Sequence, residues 1–196
     1  MLRSYFAVLV LLPSAWLIAC RENSSPTIQI VTGTTDEQQI SFSPKSSFAE
    51  YVELPIGGDE LRVTLASYDL SCEGYSPTPE GGALVVLTFL LPVGQHPVAG
   101  TYPWPGLPAS NKTAGANVDL KTPVVMPVVR IGKISNALLP GGNVDIQRIN
   151  LERQGEVAGV MRLEQSGGEG QPPTRLFGTF TARVCRTSVQ SGNLGS

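Results

Sequence analysis

Three cysteines (Cys20, Cys72, Cys185) and a single histidine (His96) are the residues of this 196-residue chain best equipped for nucleophilic or metal chemistry. A catalytic thiol needs a neighbouring base, and no motif joins His96 to any cysteine. A Ser-His-Asp site would have to use the same histidine, yet the chain has no G-x-S-x-G elbow. His96 lies between Pro92 and Pro97 and reads as a solvent-exposed loop residue. One histidine and three scattered cysteines do not make a zinc set, and no D-x-D-x-D-G series offers calcium its oxygens. No glycine-rich loop has the spacing that cradles phosphate, so neither a cofactor nor a metal is predicted. Asp59-Glu60 and Asp69 with Glu73 are the nearest acidic pairs, and both read as solvated turn residues. Paired carboxylates for glycoside hydrolysis meet only in the fold, so that reading stays open. The remaining candidates are aromatic: Tyr102 and Trp104, joined by Tyr75 from a neighbouring Pro-rich loop. Proline-flanked aromatics at loop tips suit stacking on sugars or docking on a protein. The competing reading has Trp104 capping the core.

The N-terminus is more specific. Arg3 precedes an apolar run over residues 5–16, and Leu17-Ile18-Ala19-Cys20 closes it. The run is shorter than the roughly 20 apolar residues of a membrane span, and Pro13 interrupts it. A positive start, a short apolar core and small residues at the end are the features of a secretory signal. The closing tetrad resembles the lipobox of bacterial lipoproteins. That resemblance implies removal of residues 1–19, lipidation of Cys20 and a mature chain of 196 − 19 = 177 residues. The alternative is an ordinary secretory signal cut elsewhere. Each buried methylene of the lipid adds about 0.8 kcal/mol, so a multiply acylated cysteine holds without protein–lipid contacts. Arg21 stands where an aspartate in this family signals inner-membrane retention, which leans the expectation to the outer membrane. With Cys20 lipidated and the chain exported, Cys72 and Cys185 remain for a disulfide. It would close a loop of about 113 residues and contribute about 4–5 kcal/mol in the chain-entropy model. Two free thiols are the alternative.

Composition agrees with an exported β-protein. Charge is low and nearly balanced, with 14 Lys and Arg against 16 Asp and Glu. No basic run exists, which argues against nucleic acid as a partner. Residues 21–27 are polar and aperiodic and read as a tether, so the domain is placed at 28–186, with 187–196 as a flexible tail. Ile28 and Ile30, then Ile40 and Phe42, alternate with polar residues across a turn at residues 33–36. Phe48, Val52 and Leu54 continue in period two. Leu61, Val63 and Leu65 alternate in one phase, and Tyr68, Leu70 and Cys72 in the other, which predicts a bulge or bend near Ala66-Ser67. Residues 83–91 are almost unbroken apolar and read as a central strand, a short buried helix being the alternative. Residues 92–123 are irregular and proline-rich, with a short strand starting near Tyr102. Pro127 demotes its strand to an edge or a break.

Val144 and Ile146, then Ile149 and Leu151, flip phase around Gln147-Arg148. Val157, Gly159, Met161 and Leu163 form the next inward face, with Glu156, Arg162 and Glu164 opposite. Leu176, Gly178, Phe180, Ala182 and Val184 alternate with Phe177, Thr179, Thr181, Arg183 and Cys185. These last strands form an antiparallel meander. The sum is an all-β chain, an antiparallel β-sandwich of roughly nine or ten strands, with a small β-barrel as the alternative. The expected function is a non-enzymatic, membrane-anchored envelope domain that binds or scaffolds an envelope protein or glycan. An envelope glycan hydrolase is the competing class.

Overall fold

The computed structural model describes residues 26–32, 38–53, 58–72, 77–105, 121–132, 134–136, 141–165 and 174–189. Cys20, the tether before Pro26, Tyr75 and the turn at 33–36 lie outside them. Eleven strands and no helix occur among the described residues. They are β1 (Ile28–Thr32), β2 (Gln38–Phe42), β3 (Ser46–Glu53), β4 (Glu60–Ala66), β5 (Ala83–Leu90), β6 (Gly100–Pro103), β7 (Val124–Ile131), β8 (Ile134–Asn136), β9 (Gly142–Ile149), β10 (Glu156–Gln165) and β11 (Thr174–Val189).

All belong to one hydrogen-bonded sheet in the order β6-β9-β10-β11-β3-β4-β5-β7-β8, with β1 on β11 and β2 on β1. The sheet nearly closes on itself. Tyr102 of β6, at one end of the order, meets Phe89 of β5, near the other, with ring centroids 5.0 Å apart at 83°. Edge-to-face contact is the favoured geometry for such a pair. The interior is filled by Ile28 and Ile30, Leu61, Val63 and Leu65, Val85, Leu87 and Phe89, Met161, Leu176 and Phe180, each 2% exposed or less.

The all-β expectation holds, but the sheet is mixed. β11 is sixteen residues long and outlasts its partner β1, which covers only residues 174–178. Its second half takes β3 instead, and β3 runs in the same direction, giving the one parallel pair among the described strands. The expected tail after 186 is corrected at its start, because β11 continues to Val189. Thr187 and Ser188 are polar, yet they ladder with Tyr51 and Val52. Backbone pairing there does not depend on an apolar side chain.

The phase arguments fare differently from one another. Around Gln147 the ladder pairs Ile146 with Gly159 and Arg148 with Ala158, so Gln147 is the extra residue of a bulge, as the flip predicts. At Ala66-Ser67 the expected bend is found rather than a bulge: β4 ends, the chain bends at Ser67 and Tyr68, and serine hydroxyls take over the backbone groups. Ser67 Oγ accepts from Ala83 N at 2.8 Å and Ser46 Oγ accepts from Leu70 N at 2.8 Å. β5 is a central strand between β4 and β7, with alternate residues fully buried. Its outer face is only partly covered, since Val86, Thr88 and Leu90 are half-buried. Pro127 pairs with Leu87 on one side, and on the other β8 reaches only residues 129–131, so its missing N–H costs no ladder bond.

Cys72 and Cys185 form a disulfide with Cα atoms 6.3 Å apart. Cys185 is the extra residue between Val184, opposite Ala49, and Arg186, opposite Glu50. That bulge is how a residue of outward parity leaves the ladder to reach its partner.

Candidate functional site

The proposed aromatic patch is not at the surface. Tyr102 is 3% and Trp104 4% exposed, so the core-capping reading of Trp104 prevails. The cause is β6, which pairs with β9 and turns Tyr102, opposite Val144, inward. Trp104 N donates to Gly142 O and extends that ladder by one bond. The Tyr102 hydroxyl accepts from Val98 N at 3.0 Å and donates to Val98 O at 2.8 Å. Burial raises its pKa, opposed by the Val98 backbone bond.

Val98 ends a loop, residues 92–98, that carries the chain from β5 towards β6. Its other attachment is a polar node that sequence reasoning missed. Tyr51 lies on the inner face of β3, Asp59 directly precedes β4, and His96 lies in the loop. Tyr51 OH donates to Asp59 Oδ2 at 2.5 Å, and His96 Nδ1 lies 2.7 Å from the same oxygen. The hydroxyl and Nδ1 are 3.2 Å apart. The Asp59 side chain is 7% exposed and that of His96 64%. Asp59 is therefore a buried carboxylate rather than a solvated turn residue. His96 is exposed as expected, yet tied down. The Tyr51 pKa is raised well above its ordinary value, first by burial, then by its hydrogen bond to Asp59 and the charges of Asp59 and Glu53.

Gly58 lets these pieces meet. A Cβ there would lie 1.3 Å from Leu91 O, so only glycine allows the start of β4 to pass under the base of the loop. Leu91 N then donates to Asp59 O at 3.1 Å. Inside the loop, Gln95 N donates to Pro92 O at 3.0 Å, and Pro97 is buried. Held at both ends, the loop presents Val93 and Val98 at 76% and 61% exposure. The segment itself carries no Asp, Glu, Lys or Arg, none occurring between Glu80 and Lys112.

The node ties the loop to the end of β3 and the start of β4. With Nδ1 facing the carboxylate, a hydrogen bond between them needs the imidazole proton on Nδ1. No group of three His, Cys, Asp or Glu that could hold a metal occurs among the described residues. Sequence signals for the node were weak, since Asp59 and His96 are 37 residues apart.

The opposite end of the sheet is different in kind. Where β10 ends and β11 begins, a groove of about 440 Å3 is lined by Gly141, Gly142, Arg162, Glu164, Arg175 and Phe177, among others. Phe177 is 38% exposed. No family model, no curated protein and no solved structure matches this chain.

Proposed function

We propose that this chain is a lipid-anchored envelope protein whose β-domain is a non-enzymatic binding module that contacts its partner through loop 92–98. The lipobox-like tetrad ending at Cys20 supports the anchor. The observation that carries the binding role is the loop itself: two highly exposed valines on a segment fastened by Asp59 and Tyr102. Apolar side chains held in place lose little freedom on docking, so more of their burial energy appears as affinity. The segment itself brings no Asp, Glu, Lys or Arg to be desolvated in that contact. The partner this fits is an envelope protein with an apolar face.

The test is photocrosslinking in intact cells, with a photoreactive residue at position 93 and a control at exposed Thr179. A discrete adduct at 93, absent at 179 and weakened by Tyr102→Phe, is the expected result. No adduct at 93 overturns the binding role. A Cys20→Ala protein that stays in the membrane fraction at the mature mass overturns the anchor.

A further inference from the structure

The geometry points to a saccharide-binding site in the groove at the start of β11, with a sugar ring stacked on Phe177 and its hydroxyls held by Arg162 and Glu164. The inference goes beyond the loop-docking reading and uses a different surface, where β10 ends and β11 begins.

Strand periodicity places the groove side chains. Arg162 lies directly opposite Phe177, and Glu164 directly opposite Arg175, in the β10–β11 ladder. Directly opposed residues share a face with Cβ atoms about 4.5–5.5 Å apart. Leu163 and Leu176, of the other parity, are buried in the core at 2% and 0% exposure. The four outward residues therefore form one cluster in which a ring neighbours planar, hydrogen-bonding groups. On its other side Phe177 faces Gln29 of β1, a further planar polar group.

The space above this cluster exists because of glycine. Gly142 pairs with Leu163, and a Cβ on it would lie 2.2 Å from Arg162 O. It also has φ +97°, a conformation that disfavours any other residue. β9 therefore approaches β10 with no side chain there to fill the groove. The volume of about 440 Å3 lies within the range of small-ligand sites.

Sugars suit this chemistry better than apolar ligands. Their C–H faces stack on an aromatic ring, and their hydroxyls need donors and acceptors fixed around it. Arg162 supplies a planar fork of donors and Glu164 two acceptor oxygens. An apolar ligand would leave both charged groups desolvated and unpaired.

The test titrates the full chain in detergent micelles with two probes, followed by NMR: a tetramer of N-acetylglucosamine, and a tetrasaccharide alternating N-acetylglucosamine with glucuronic acid. Binding of either probe is expected, weakened about tenfold by Phe177→Ala and retained by Phe177→Tyr, since aromatic stacking is worth up to about one factor of ten. Arg162→Ala should weaken it independently. No binding of either probe, or equal binding by Phe177→Ala and Phe177→Tyr, overturns the inference. If crosslinking at position 93 survives that result, only the groove is lost. If crosslinking fails while the sugars bind, the loop is lost and the groove stands.

Discussion

The two ends of the sheet solve the problem of presenting a surface in opposite ways. At the loop end, β3, β5 and β11 all finish, and the surface consists of uncharged side chains on a connecting segment. Its rigidity comes from buried polar groups beneath it: Asp59 and the hydroxyls of Tyr51 and Tyr102. At the groove end the displayed residues lie on the strands themselves. Their backbone is fixed by the β10–β11 ladder, and no polar node is required. A surface on a loop needs internal scaffolding, whereas one on a strand inherits it. Damage to the interior should therefore disturb the loop and spare the groove.

The largest test of that contrast is the disulfide. Cys185 sits between Val184 and Arg186, in the half of β11 that pairs with β3, whereas the groove uses the other half. Replacing both Cys72 and Cys185 by serine should lower stability by about 4–5 kcal/mol in the chain-entropy model. Urea unfolding of the oxidised and doubly substituted proteins measures it. Native-state hydrogen exchange should show the amides of residues 186–189 losing more protection than those of residues 175–178. Equal loss at both ends would show that the sheet opens as one unit.

A smaller effect isolates the node. Tyr51→Phe removes the hydroxyl that donates to Asp59 and leaves a buried carboxylate short of a donor, at a cost of about 1–3 kcal/mol. The wild-type protein should also lose stability in alkali. Tyr51 and Tyr102 both have raised pKa values, so above the ordinary tyrosine value of 10.0 the unfolded chain releases protons that the folded one retains. Their contribution is complete below that pH and declines above it. Unfolding measured at pH 8 and pH 11 should give a steeper loss for wild type than for Tyr51→Phe. An identical loss would place the alkaline sensitivity elsewhere.

These features differ in how far the sequence betrays them. Most strands were legible because their side chains alternate every two residues, although β3 buries Ala49 and Tyr51 rather than the Phe48 and Val52 that the pattern offered. The flip at Gln147 located a bulge because an extra residue inverts that alternation. The flip at Ser67 marks a bend at a strand end instead, where serine hydroxyls satisfy the backbone. The disulfide pairing followed from what was left after Cys20. Tyr102 and Trp104 looked like surface residues because their proline-rich context resembles a loop, whereas a four-residue pairing with β9 turns them inward. The Asp59 node was invisible because its members are brought together by three separate strand ends. Arg162, Glu164 and Phe177 were each placed on an outward face, but alternation within a strand does not give register between strands. Their adjacency depends on it.

The smallest expected effect concerns Phe177. An exposed phenylalanine on a strand invites the objection that it simply packs on its neighbours, in which case its truncation should cost stability. Its ring is 38% exposed, while Leu176 and Phe180 carry the burial of that strand at 0% and 2%. Phe177→Ala should therefore change stability by no more than about 0.5 kcal/mol, as for surface substitutions away from the core. Phe180→Ala, three residues further along the same strand and inside the core, should cost about 3–5 kcal/mol. Urea midpoints of the two variants give the comparison directly. A loss at Phe177 approaching that at Phe180 would make the ring part of the scaffold and remove the reason to regard it as a binding surface.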